Sequence, residues 1–95
     1  MNGLMQDVSL SIPMIVRRAR DLYSDKEIVS RRPDKSLART TYGETITRAG
    51  RLALALRGLG VGSGDRVATL AWNNTRHLEA YFAVPSLGAV LHTLN

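Results

Sequence analysis

Residues 66–95, RVATLAWNNTRHLEAYFAVPSLGAVLHTLN, constrain the fold more than any other stretch: they read as strand, helix, strand. Val67 to Trp72 is a continuous apolar run, as in a strand buried on both faces. Asn73, Asn74 and Thr75 then offer N-caps, because their side-chain oxygens accept from the free amides of a first helical turn. Leu78, Tyr81, Phe82 and Pro85 share one helical face. Pro85 has no N–H to bond Tyr81, so the helix kinks or ends there, and Gly88 closes it. Ala89 to Leu94 returns as a strand. A unit of this length is a right-handed βαβ crossover with parallel strands. Such a pair needs more sheet, with helices on both faces. The expectation is that the chain is the front of a larger α/β protein, cut on its second parallel strand.

Upstream, residues 1–10 read as a loose lead-in. Ser11 is placed to cap a helix with Pro13 in its first turn. Ile12, Ile15, Val16, Ala19, Leu22 and Tyr23 follow helical spacing, with Arg17, Arg18, Arg20 and Asp21 on the other face. Glu27–Arg31 and Leu37–Thr41 are short strands that pair as a hairpin around the turn Arg32-Pro33-Asp34-Lys35. Thr41-Tyr42-Gly43-Glu44 matches a capping box, which starts a helix whose apolar face is Ile46, Ala49, Ala53, Leu56 and Leu59. Glu44 and Arg48 stand at the spacing of an ion pair within that helix. Gly60 suits a left-handed C-terminal position, with Val61 folding back on Leu56.

Composition excludes several functions. The chain has no cysteine, so disulfides, thiolate metal sites and a cysteine nucleophile are absent from it. No apolar run approaches the about eighteen residues of a membrane span. The start lacks the basic flank and apolar core of a secretory signal, and Asp7 and Asp21 argue against a transit peptide. The expected location is the cytoplasm, with peripheral membrane association left open. The net charge is +5, and before residue 52 ten basic side chains face six acidic ones. That excess suits an anionic partner, or acidic residues supplied by the rest of a longer protein.

Little here carries chemistry. Gly60-Val61-Gly62-Ser63-Gly64-Asp65 follows a helix, precedes a strand and has no lysine after it. A phosphate loop has the reverse order, so this is a structural turn. His77 and His92 lie on different elements without acidic residues at metal-ligand spacing, and read as surface or hydrogen-bonded core residues. No serine sits in a nucleophile elbow. No catalytic, cofactor-binding or metal residue is assigned. The candidate substrate-binding residues are Trp72, Asn73 and Asn74, at the carboxyl end of a parallel strand, where open α/β sheets hold their ligands. The competing reading of the same residues is a core tryptophan followed by a capping asparagine.

Three ordered blocks resemble a known family: Tyr42-Gly43-Glu44; Leu52-Ala53 through Ala55-Leu56 to Leu59-Gly60-Val61; and Gly64-Asp65-Arg66-Val67-Ala68. Together they look like the N-terminal region of AMP-forming acyl-CoA synthetases of the adenylate-forming superfamily. Arg76 to Pro85 and Gly88 to Asn95 are similar to the medium- and long-chain fatty acyl-CoA synthetase branch, where the asparagine is typically followed by Pro-Arg-Leu. The resemblance spans residues 8–95. It implies an α/β fold in which residues 11–95 are the incomplete front of a large AMP-binding domain, cut before the catalytic motifs.

It further implies a two-step reaction for the full-length enzyme, in which a fatty acid carboxylate attacks the α-phosphate of ATP with Mg²⁺ assistance. The thiol of coenzyme A then displaces AMP. Fatty acid, ATP and coenzyme A would be handled by the missing portion, since none of the family's catalytic signatures falls on this sequence. The 95-residue chain is expected to be a scaffold that is inactive alone and only marginally folded. Some enzymes of this branch are homodimers to which N-terminal segments contribute. No nucleic-acid partner is expected. Two other readings stand beside this one: a truncated remnant or interaction module without catalysis, and a small basic helix-turn-helix DNA-binding protein. The last would need a second helix soon after Gly60.

Overall fold

A computed structural model describes residues 3–94. The elements run α1 (Ile12–Tyr23), β1 (Glu27–Arg31), β2 (Leu37–Thr41), α2 (Tyr42–Gly58), β3 (Arg66–Leu70), α3 (Thr75–Ser86) and β4 (Val90–Leu94). The fold is α/β. β1 and β2 form the expected antiparallel hairpin, with Glu27 opposite Thr41 and Arg31 opposite Leu37. β3 and β4 form the expected parallel pair, from Arg66 opposite Val90 to Leu70 opposite Leu94, with α3 as the crossover. The chain leaving α2 enters β3 rather than a second helix, which removes the helix-turn-helix reading. Residues 3–10 have no regular structure and are exposed. Met1, Asn2 and Asn95, which belong to the expected lead-in and final strand, lie outside the described residues.

Local chemistry sets the boundaries. The turn at 32–35 is held by Asp34, whose carboxylate accepts from the Ser36 hydroxyl at 2.6 Å and its amide at 3.0 Å. Those two bonds hold the Asp34 carboxyl below the usual carboxylate range, the hydroxyl contributing most. α2 opens on a complete capping box. The Thr41 hydroxyl accepts from the Glu44 amide, and the Glu44 carboxylate accepts from the Thr41 amide, each at 3.2 Å. It closes on Gly60, at φ +98°, with the Val61 amide donating to Leu56 O and the Gly60 amide to Arg57 O. α3 closes the same way. Gly88 sits at φ +73°, and Ala89 and Gly88 donate to Val84 O and Pro85 O. Pro85 therefore sits in the last turn and ends the helix at Ser86.

Several expectations fail for identifiable reasons. Ser11 stands at the N-cap of α1 but makes no side-chain cap bond. Glu44 does not pair with Arg48: its carboxylate is occupied by Thr40 and Thr41, and Arg48 reaches across to α3. The first parallel strand ends at Leu70 rather than Trp72, and it alternates exposed and half-buried instead of being covered on both faces. Only one neighbouring strand pairs with it among the described residues. The apolar stripe of α1 contains no buried residue. On α3 the buried side chains are His77, Glu79, Ala83 and Val84, whereas Tyr81 is exposed.

The core lies where α2 and α3 pack together, with α1 against both. Ala49, Ala83, Val84 and Ala89 are its buried apolar members. Small side chains let the helices approach closely, and they limit the burial each contributes. Val84, fully buried, accounts for about 2 kcal/mol. No helix among the described residues is long and apolar enough to cross a membrane.

Candidate functional site

The carboxyl end of β3 is built around one histidine. His77, in the first turn of α3, is 5% exposed. Its Nδ1 lies 3.2 Å from Asn73 Oδ1 and its Nε2 lies 2.9 Å from Thr69 Oγ1. Asn73 Oδ1 only accepts, so Nδ1 donates to it, and in the neutral imidazole Nε2 is the nitrogen left to accept from the Thr69 hydroxyl. The imidazole thus ties strand, loop and helix together. Its ring also meets Tyr81 at a centroid distance of 4.8 Å. Asn74 caps α3, its Oδ1 accepting from the His77 amide at 3.1 Å.

The three candidate residues part company here. Asn73 and Asn74 use their carbonyl oxygens to build the corner, which leaves their side-chain amide donors. Trp72 is not a core residue: it lies beyond the strand and is 82% exposed. With Leu70, Ala71, Asn73 and Leu94 it borders an open hollow of about 520 Å³. A second hollow of about 300 Å³ lies between Asn73, Asn74, His77 and Tyr81 on one side and Ile28 to Arg31 on the other. Ser30 Oγ crosses that gap to accept from the Thr75 amide at 3.1 Å, joining the hairpin to the start of α3.

Glu79 is the functional-type residue that sequence reasoning passed over. It is 5% exposed, and its Oε1 accepts from Arg48 Nε at 2.7 Å and Arg76 Nη1 at 3.0 Å. The only signal in the sequence was an acid set in the apolar stretch Leu78 to Val84, with an arginine three residues before it. His92 lies exposed on β4, apart from His77. Among the described residues no group of three His, Asp or Glu side chains is arranged to hold a metal ion. The glycine-rich turn spends its amides internally, Gly62 on the Asp65 carboxylate and Gly64 on Gly88 O. It offers no cradle for phosphate.

A capped helix feeding a parallel βαβ unit, with a polar corner at the strand's carboxyl end, defines the edge of an α/β ligand-binding domain. A family model described as AMP-binding enzyme matches residues 16–95, and the chain belongs to that family. A long-chain-fatty-acid–CoA ligase of Thermus thermophilus is 56% identical over 91 residues, which cover 96% of this chain and 17% of the relative. A medium-chain-fatty-acid–CoA ligase of Ectopseudomonas oleovorans is 41% identical over 95 residues, covering 100% and 17%. The solved N-terminal domain of FACL13 from Mycobacterium tuberculosis superposes with a TM-score of 0.80 at 26% identity, over 92% of this chain and 22% of that one. The chain thus spans 17% of the length of these two curated relatives.

Proposed function

We propose that this chain is the opening scaffold, residues 11–95 preceded by a lead-in at 1–10, of the large domain of an ATP-dependent fatty acid–CoA ligase. The observation that carries this reading is the 56% identity to a long-chain-fatty-acid–CoA ligase over 96% of the chain. The whole protein would activate a fatty acid as its acyl-adenylate with ATP and Mg²⁺, then transfer the acyl group to coenzyme A.

The residues present do not form the ATP or Mg²⁺ site, so no chemical step is assigned to them. Their part is to hold the strand ends. His77 fixes the 71–74 loop, which carries Trp72 and the free amides of Asn73 and Asn74 at the rim where a bound acyl or nucleotide group would lie. The reading places the protein in the cytoplasm. Two assemblies are compatible with it, a homodimer and contact with a membrane surface. α1, with Ile15 and Leu22 exposed, is the place for either.

The test is the intact mass of the native protein in its source, detected through a peptide from residues 41–66 and followed by fatty-acid-dependent ATP–pyrophosphate exchange. A mass several-fold above 10.4 kDa with exchange is expected. Exchange by the purified 95-residue chain alone would refute the scaffold role. A native mass of 10.4 kDa without exchange would favour the interaction-module reading.

A further inference from the structure

Five of the eleven arginines line one groove of about 270 Å³. Arg31 comes from the end of β1, Arg32 from the turn, Arg39 from β2, Arg48 from α2 and Arg76 from α3. Glu79 in the wall and Glu27, which pairs with Arg39 at 2.9 Å, balance two of these charges. Asp34 acts on Arg32 by Coulomb attraction without an ion-pair contact, and the groove keeps a surplus of positive charge. Neither Arg31 nor Arg32 makes an ion pair among the described residues. Arg48 commits only Nε to Glu79 and Arg76 only Nη1, so each keeps guanidinium donors for another acceptor.

Arginines spread over a surface are a solvated face. These are different, because separate elements bring them to one concavity. Like charges brought to one concavity repel one another even in water, so the fold gathers them at a cost. A multivalent anion relieves that repulsion, and planar guanidinium forks match phosphate oxygens. Thr40, Asn74 and Thr75 complete the rim. The volume suits a compact anion rather than a long polymer.

We infer that this groove binds a phosphoryl group, presented as a free phosphate or diphosphate or as a phosphomonoester headgroup of a lipid. The inference is independent of the ligase reading, since it rests on the groove's own charges. It is tested with inorganic pyrophosphate at constant ionic strength, followed through the amide spectrum of the protein and by calorimetry.

Saturable shifts confined to Arg31, Arg32, Thr40 and Thr75 are expected. Arg31→Gln and Arg32→Gln, which break no ion pair, each weaken binding by about tenfold, the size of one charge-assisted contact. Arg57→Gln, outside the groove, leaves affinity unchanged. Unsaturable shifts that spread to Arg17, Arg57 and Arg66, or unchanged affinity in Arg31→Gln, overturn the site. Vesicles of phosphatidylcholine with and without phosphatidic acid separate the two sources. Release of vesicle-bound protein by pyrophosphate places the headgroup in the groove. No vesicle binding together with tight pyrophosphate leaves the free anion as ligand. Vesicle binding that neither pyrophosphate nor Arg31→Gln alters belongs to another surface and, without pyrophosphate binding, overturns the proposal.

Discussion

Glu79 shows how a single side chain can be decisive and still be hidden in the sequence. Its partner Arg48 is 31 residues away and came into reach only when α2 packed on α3. At the sequence level Arg48 had a nearer candidate, Glu44, which the capping box had already engaged. Removing the acid from a buried pair strands charge, at a cost of several kcal/mol when both partners are enclosed. Here the Arg48 and Arg76 side chains are 46% and 68% exposed and regain water, so the effect is smaller. Glu79→Ala is expected to lower unfolding free energy by about 2 kcal/mol in urea titrations, and Arg76→Ala by less than about 1 kcal/mol. Asp34 gives a pH prediction. Its folded-state pKa is depressed, so the turn's contribution is present above the usual carboxylate range and lost as pH falls through the depressed value. The Ser36 amide resonance should move with that acid titration, and Asp34→Asn should abolish the movement.

Helix ends were the most legible elements, because their signals are local. Thr41 and Glu44 sit three residues apart, and a capping box needs nothing from the rest of the fold. Gly60 and Gly88 end helices by the same two backbone bonds, and they make a controlled comparison. An alanine at either position meets the left-handed penalty of about 1–2 kcal/mol. At Gly60 its Cβ would meet nothing within 4 Å. At Gly88 it would lie 2.9 Å from Ser63 Oγ and 3.3 Å from Ser63 Cβ, so the Ser63 hydroxyl must rotate away and its Cβ must give slightly. Gly88→Ala should therefore destabilise more than Gly60→Ala in denaturant titrations, and Ser63→Gly should recover part of the difference. Equal losses would mean that Ser63 yields freely. Helix faces were less legible than helix ends. The apolar pattern of α3 pointed to Leu78, Tyr81 and Phe82, yet the packed face carries His77 and Glu79, whose polar groups are satisfied by Thr69, Asn73 and Arg48. A polar residue reads as outward until its partners are known, and those partners lie on other elements.

At the scale of the molecule, the chain exposes far more surface than a compact protein of its size. Its accessible area is 7431 Å², against about 5,400 Å² for a folded monomer of the same mass. The radius of gyration is 15.2 Å, where about 12 Å is usual for this length. The excess of about 2,000 Å² on this one chain is more than the about 800 Å² that each partner gives to a standard protein–protein interface. Part of it belongs to the extended residues 3–10, where Leu4, Met5 and Leu10 are exposed, and part to apolar side chains at Leu70 and Leu94 on the parallel pair, at Trp72 just beyond β3 and at Ile15 and Leu22 on α1. This is where the sequence misled about Trp72. An apolar run reports that a strand is built for burial, while actual burial depends on what covers it. The 95-residue chain alone should then bind a hydrophobic dye and unfold over a broad urea range, as loosely packed states do. The outer edges of β3 and β4, unpaired among the described residues, should also drive self-association. The net charge of +5 opposes that association, so raising salt should promote it by screening the repulsion. Trp72 reports the outcome directly, because its indole is exposed now and any cover over β3 shifts its emission to shorter wavelength. Leu70→Lys should reduce both dye binding and salt-driven association while leaving the β1–β2 hairpin intact. A sharp cooperative melt of a dye-free monomer would show that the small helical core is sufficient without further cover.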